Sequence, residues 1–113
     1  MIVLGASPAL AQNQGQIGRA KSGASCPGCN LFQADFGGAA MRGRNFAHAR
    51  LRQADLSLST MNGANFSGAK LSGANFSGAQ LDRARGLSQG QLNAACGDAE
   101  TDLPAGLRVP ACR

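Results

Sequence analysis

The chain has no tryptophan and no tyrosine, and its aromatic content is five phenylalanines in 113 residues. A conventional core of interlocking bulky side chains is therefore excluded, and order has to come from another source. Acidic residues are also scarce, with 6 Asp and Glu against 11 Lys and Arg, so the net charge is +5. That balance permits contact with anionic surfaces and disfavours any mechanism that needs an acidic rod. No apolar run approaches the roughly 20 residues that a membrane-spanning helix needs, and no glycine loop of the phosphate-binding kind is present. A single histidine, His48, has no Ser, Cys or carboxylate in a sequence context that suggests a catalytic triad, and it reads as a solvated turn residue.

What is abundant is small: glycine, alanine and serine, on a fixed period. The stretch ANFSGAKLSGANFSGAQL, residues 64–81, repeats nearly the same five letters. Marking the large apolar residue at every fifth position gives Leu31, Phe36, Met41, Phe46, Leu51, Leu56, Met61, Phe66, Leu71, Phe76 and Leu81, with no gap. Two positions before each lies a small residue, Cys29, Ala34, Ala39, Ala49, Ala54, Ser59, Ala64, Ala69, Ala74 or Ala79, with Arg44 the one exception.

A period of five fits neither the helical 3.6 nor the strand 2.0. A coil that turns a corner every five residues does fit, and four sides per turn would stack residues twenty apart. The sequence supports that register. Leu31, Leu51 and Leu71 align, as do Met41 with Met61 and Phe46 with Phe66. Rungs of a parallel ladder lie about 4.8 Å apart, so identical side chains can nest in the same rotamer. The second inward position on each side must then be small, for lack of volume.

The tandem A(N/D)(L/F)xx pattern, clear in Ala34-Asp35-Phe36, Ala54-Asp55-Leu56 and Ala64-Asn65-Phe66, resembles the pentapeptide repeat family over residues 29–83. The resemblance implies an all-β fold, a right-handed quadrilateral parallel β-helix of about 2.75 coils at four repeats per turn. Glycines such as Gly63, Gly68, Gly73 and Gly78 fall at its corners, where positive φ is needed. Arg44 in an inward position predicts a backbone bulge that turns the guanidinium outward, because burial unpaired would be costly. Arg50 and Lys70 stack beside Arg52 in a basic stripe, and Asp35 and Asp55 stack on the next face. Arg42, Arg50, Arg52 and Lys70 are the candidate contacts for an anionic surface.

The remaining domains read as follows. Residues 1–11 resemble the end of an export signal, with an apolar run from Ile2 to Ala6 and a small-x-small site at Ala9-Leu10-Ala11. Residues 12–28 form a flexible N-terminal segment containing Cys26. Residues 84–113 form a C-terminal cap. There Ser88 and Gln91 make a capping box, and Leu87 with Leu92 a hydrophobic staple, for a short helix from about Ser88 to Cys96 ended by Gly97. That helix is expected to act as a lid over the Phe76 and Leu81 end, followed by an irregular tail.

Four cysteines fit an exported, disulfide-bonded chain. The local pairs Cys26 with Cys29 and Cys96 with Cys112 are expected, and a link from Cys26 or Cys29 to Cys112 is the alternative. Asn30 after Cys29 removes a haem attachment reading. The spacing of the second pair argues against zinc, and no strand-to-helix setting supports a catalytic dithiol. The sequence thus predicts a periplasmic or extracellular scaffold that is not an enzyme and has no cofactor or metal. Its partner would be an unidentified protein or an anionic envelope component, with nucleic acid disfavoured. The family resemblance also brings topoisomerase binding by DNA mimicry, which a basic rod rising about 13 Å suits poorly.

Overall fold

A computed structural model describes residues 15–20 and 25–112; the expected export signal, residues 1–11, lies outside the described residues. Parallel bridges join residues twenty apart along four columns. The first face carries Asn30, Arg50 and Lys70; the second Asp35, Asp55 and Asn75; the third Ala40, Thr60 and Gln80; the fourth Asn45, Asn65 and Arg85. Each side contributes one bridge residue between tight turns, so the coil has rungs but hardly any extended strand.

The five-residue phrase explains this local geometry position by position. The central apolar residue points inward, and its backbone N–H donates to the next turn, as from Leu51 to the Lys70 carbonyl at 2.8 Å. The residue two places on is the corner: from Gly28 to Arg83 every fifth residue has φ between 58° and 73°. Glycine adopts that region without strain, whereas Gln33, His48, Gln53, Leu58 and Arg83 accept it at a cost. The Asn or Asp before the central residue is explained by its side chain. Oδ1 of Asp35, Asn45, Asp55, Asn65 and Asn75 accepts the backbone N–H two residues on, at 2.9 to 3.0 Å, and so holds the chain into each corner.

All eleven central side chains from Leu31 to Leu81 are buried, as is the small partner Ser59, whose hydroxyl donates to the Leu56 carbonyl at 2.6 Å. The Phe46 and Phe66 rings stack 5.8 Å apart at 20°, while Phe36 tilts on Phe46 and Phe76 meets Phe66 edge-on. Narrowness makes this possible: one large side chain per side fills the lumen, and the alanine beside it takes what is left.

The ends depart from expectation in four ways. Residues 15–20 are not a flexible segment but a helical turn, α1, with Ile17 and Ala20 buried in the core cluster. The coil itself begins before Cys29, since Cys26 and Gly28 already donate to the Asn45 and Ala47 carbonyls. Arg44 makes no bulge. Its carbonyl still accepts from Asn65 at 2.9 Å and Asn45 still pairs with Asn65, while the guanidinium reaches the Ala20 and Ala40 carbonyls at the end of the coil. An inward arginine is tolerated there because it lies in the first turn, half-buried, with main-chain acceptors in reach.

The fourth difference is at the other end. The second helix, α2, spans Gln89–Asn93, shorter than Ser88 to Cys96; Ser88 is its N-cap, and Ser88 and Gln91 form the reciprocal capping box. Beyond it the chain re-enters the ladder. Cys96 pairs with Asn75 and Asp102 with Gln80, extending the second and third faces by one rung, and Ala111 pairs with Gly97. The tail is therefore largely continued coil. At that end Cys96 and Asp102 accept from Phe76 and Leu81, and α2 lies instead over the last rung of the neighbouring sides, where Gly73 donates to the Ala94 carbonyl, Gln91 donates to those of Phe66 and Ala69, and Leu92 is buried.

Candidate docking faces

On each side the residues before and after the central one point outward, so a face is a grid two columns wide. On the first face these columns are Asn30, Arg50, Lys70 and Phe32, Arg52, Ser72. Residues 29–33, 49–53 and 69–73 contain three cations and no carboxylate, and Arg50, Arg52 and Lys70 are exposed. Phe32 is 37% exposed on the same face. The second face carries Asp35, Asp55, Asn75 beside Gly37, Ser57, Ser77, and residues 34–38, 54–58 and 74–78 contain no cation.

Arg42 does not join the other candidate contacts. It follows Met41 on the third face, in the column of Asn62 and Asp82, and in a four-sided coil the third face is opposite the first. The reason is arithmetic: Arg42 and Arg52 differ by ten residues, half a turn. His48 is exposed at a corner of the fourth face with φ 60°, its ring lying over Gly68.

Both ends are finished by side chains that sequence reasoning passed over. At the start, Gln16 Oε1 accepts from the Asn30 N–H at 2.6 Å, and Ser25 Oγ accepts from Asn45 at 3.1 Å. At the far end, Gln91 Nε2 donates to the Phe66 and Ala69 carbonyls, and Thr101 Oγ1 donates to that of Phe76. Asp98 accepts the Gly78 N–H, and chiefly that bond holds its carboxyl below the ordinary carboxylate range. Gln91 was visible through its capping-box spacing; Gln16, Ser25 and Thr101 carry no local signal. Gln89 further ties α2 to the tail by exchanging two bonds with the Arg108 backbone.

The cysteines pair as Cys26 with Cys29 and Cys96 with Cys112, with α-carbons 5.4 and 4.8 Å apart. An Arg19 guanidinium nitrogen lies 3.1 Å from Cys29 Sγ and 3.5 Å from Cys26 Sγ, so α1 is packed against the first disulfide. Among the described residues no group of three or more His, Cys, Asp or Glu is disposed to hold a metal, and no helix is long and apolar enough to cross a membrane.

Residues 49–85 match the family model described as pentapeptide repeats, in eight copies. That stretch belongs to the pentapeptide repeat family. The match starts where the phrase becomes regular; before it, Arg44, Ala40 and Cys29 occupy positions at which the pattern prefers other residues, although the coil already runs through them. Proteins of this family form right-handed quadrilateral β-helices.

Among solved structures, the pentapeptide repeat protein alr5209 from Nostoc Pcc 7120 shares the fold. Its TM-score is 0.57 at 22% identity, covering 84% of this chain and 87% of that one. AT2G44920, from the Arabidopsis thaliana thylakoid lumen, is 28% identical over 81% of this chain and 72% of its own, with a TM-score of 0.43. QnrB1, a plasmid-mediated fluoroquinolone resistance protein, is 21% identical over 65% of this chain and 38% of its own, with a TM-score of 0.41. No curated protein matches the chain.

Proposed function

We propose that this pentapeptide repeat protein is a non-enzymatic, exported scaffold whose flat faces dock other molecules, its coil right-handed as in the family and closed at one end by α2. The observation that carries the reading is the unbroken five-residue period from residue 28 to residue 83. No insertion interrupts it to build a cleft, and the outward positions form flat grids of distinct charge. Two disulfides support export, since such bonds persist in oxidising compartments. Affinity capture from an envelope fraction with the oxidised protein tests the reading, run beside a variant with Arg50, Arg52 and Lys70 changed to Gln. A partner retained by one and lost by the other supports a docking face. Turnover of a substrate that disappears in His48→Ala overturns it.

A second reading is binding of an anionic envelope surface through the first face, favoured by its three cations without a compensating carboxylate. Such binding weakens steeply with salt. Retention on anionic vesicles that is equal at low and high salt excludes it. DNA mimicry toward a topoisomerase fits less well, because the net charge is +5.

A further inference from the structure

The first and second faces complement each other, and they belong to the same molecule. The first presents large cationic side chains at Arg50, Arg52 and Lys70 with no acid. The second presents Asp35 and Asp55, with Gly37 and Ser57 in the neighbouring column and no cation, and Cys112 lies against Asn75 and Ser77 at its last rung. Large faces small, and positive faces negative, on grids with the same rung spacing of about 4.8 Å. Each Asp already accepts from its local turn, Asp35 from Gly37 N–H and Asp55 from the Ser57 N–H and hydroxyl, and these bonds fix both carboxylates on the outer surface.

We propose that the protein associates with copies of itself by laying the first face of one copy on the second face of the next. This rests on the reading of the faces as docking surfaces and names the partner. The contact is heterologous, and its closure follows from the coil. Adjacent sides of a four-sided coil meet at about a right angle, so each copy is turned by about 90° from the last and four copies close a ring. Closure needs no shift along the coil axis, so rungs stay level.

Level rungs fix the pairing. The corner shared by the two faces, Gln33, Gln53 and Gly73, lies on the fourfold axis, and Gln33 already donates to Gln53 there at 3.0 Å. Counting outward from that corner, Arg52 meets Asp55 of the next copy, Phe32 meets Asp35 and Arg50 lies over Ser57, while Ser72 and Lys70 come against Cys112, whose Sγ lies 3.4 Å from Asn75 Oδ1 and 3.5 Å from Ser77 Oγ. The third and fourth faces stay outward, with Arg42, His48 and Arg85 free of the contact. A single contact about three rungs high is small, so stable association requires both contacts of every copy, and the ring forms cooperatively.

Sedimentation velocity of the oxidised full chain across a range from about micromolar to several hundred micromolar tests this at low salt, where exposed charges act over the longest range. A monomer–tetramer equilibrium without a dimer plateau, shifted toward monomer at high salt, is expected. A monomer at every concentration, a dimer as the end point, or an open polymer overturns the ring.

Two variants test the pairing. Asp35→Asn with Asp55→Asn keeps the turn bonds, as Asn65 and Asn75 do, and removes the negative charge. Arg50→Gln with Arg52→Gln and Lys70→Gln removes the positive charge. Each is expected to weaken tetramer formation at least tenfold with an unchanged circular dichroism spectrum. An equimolar mixture retains one intact first face and one intact second face, so it can form a single native contact but no ring, and it is expected to stay monomeric at concentrations where the wild type is a tetramer. Tetramer formation unaffected by either variant refutes the face pairing. If the wild type stays monomeric yet retains an envelope partner through the first face, self-association fails while the docking reading survives.

Discussion

Phe46 and Phe66 give the twenty-residue register a direct energetic consequence. They are vertical neighbours, 1% and 0% exposed, with ring centroids 5.8 Å apart and planes within 20°. Phe66 also takes the edge of Phe76 at 6.3 Å. Truncating Phe66 to Ala removes a fully buried ring and leaves a void that flanking alanines cannot fill, so a loss of about 3–5 kcal/mol is expected. The stacking itself is isolated by a cycle of Phe46→Leu, Phe66→Leu and the double variant, which keeps the apolar volume roughly constant. Aromatic pairs contribute about 0.5–1.5 kcal/mol beyond burial, and the coupling should fall in that range. Urea unfolding followed by circular dichroism at constant slope measures it. A coupling indistinguishable from zero, with Phe36→Leu and Phe66→Leu as a control pair on opposite faces giving the same value, refutes vertical nesting.

Other outcomes follow from the corners and ends. Gly63 and Gly86 have similar φ, 72° and 75°, but a Cβ on Gly63 meets nothing within 4 Å while one on Gly86 comes within 2.6 Å of the Ser67 backbone nitrogen. Gly63→Ala should therefore cost about 1–2 kcal/mol, the ordinary penalty of the left-handed region, and Gly86→Ala clearly more; equal losses in urea would refute the steric argument. Asp55→Asn should leave stability nearly unchanged, whereas Asp55→Ala should lose about 1 kcal/mol with the bond to the Ser57 N–H. Cys96→Ser with Cys112→Ser opens a loop with a sequence separation of 16, and should lower stability by about 3 kcal/mol in the chain-entropy model. Asp98 has a depressed folded pKa, so its contribution is present above the ordinary value of 3.8 and is lost as pH falls through the lower folded value. Amide chemical shifts of Gly78 should follow that titration, and a Gly78 signal constant through the acid range would contradict it.

The regular middle of this protein was legible because every repeat solves the same small problem. A lumen one side chain wide demands Leu, Phe or Met at one position and Ala beside it, and the turn demands Asn or Asp before it. Such demands are local and are written into each phrase, so the columns Asn30, Arg50, Lys70 and Asp35, Asp55 could be counted out. The ends obey no period. Ile17 and Ala20 belong to the core although their segment reads as polar linker, and Asp102 pairs with Gln80 despite lying among prolines and charges. What decides those segments is which N–H or C=O the last rung leaves open, a property of the whole coil. Arg44 shows the same limit: whether an inward arginine is expelled depends on its distance from the end, and the phrase around it carries no such information. The grouping of Arg42 with Arg50, Arg52 and Lys70 failed for a simpler reason, since closeness in sequence is not closeness on a square.

Because each twenty residues close one storey and each end is sealed by its own side chains, the protein is a stack whose height can change independently of its roof and floor. Duplicating residues 64–83 would raise it by about 4.8 Å and return Gln91 to equivalent carbonyls. Adding a single five-residue phrase would instead swing the roof round by a quarter relative to the floor, seating Gln91 on the corresponding carbonyls of the next side. Growth in whole storeys therefore keeps roof and floor in the same relative orientation, whereas any other number of phrases turns one against the other and changes which faces lie beside the tail.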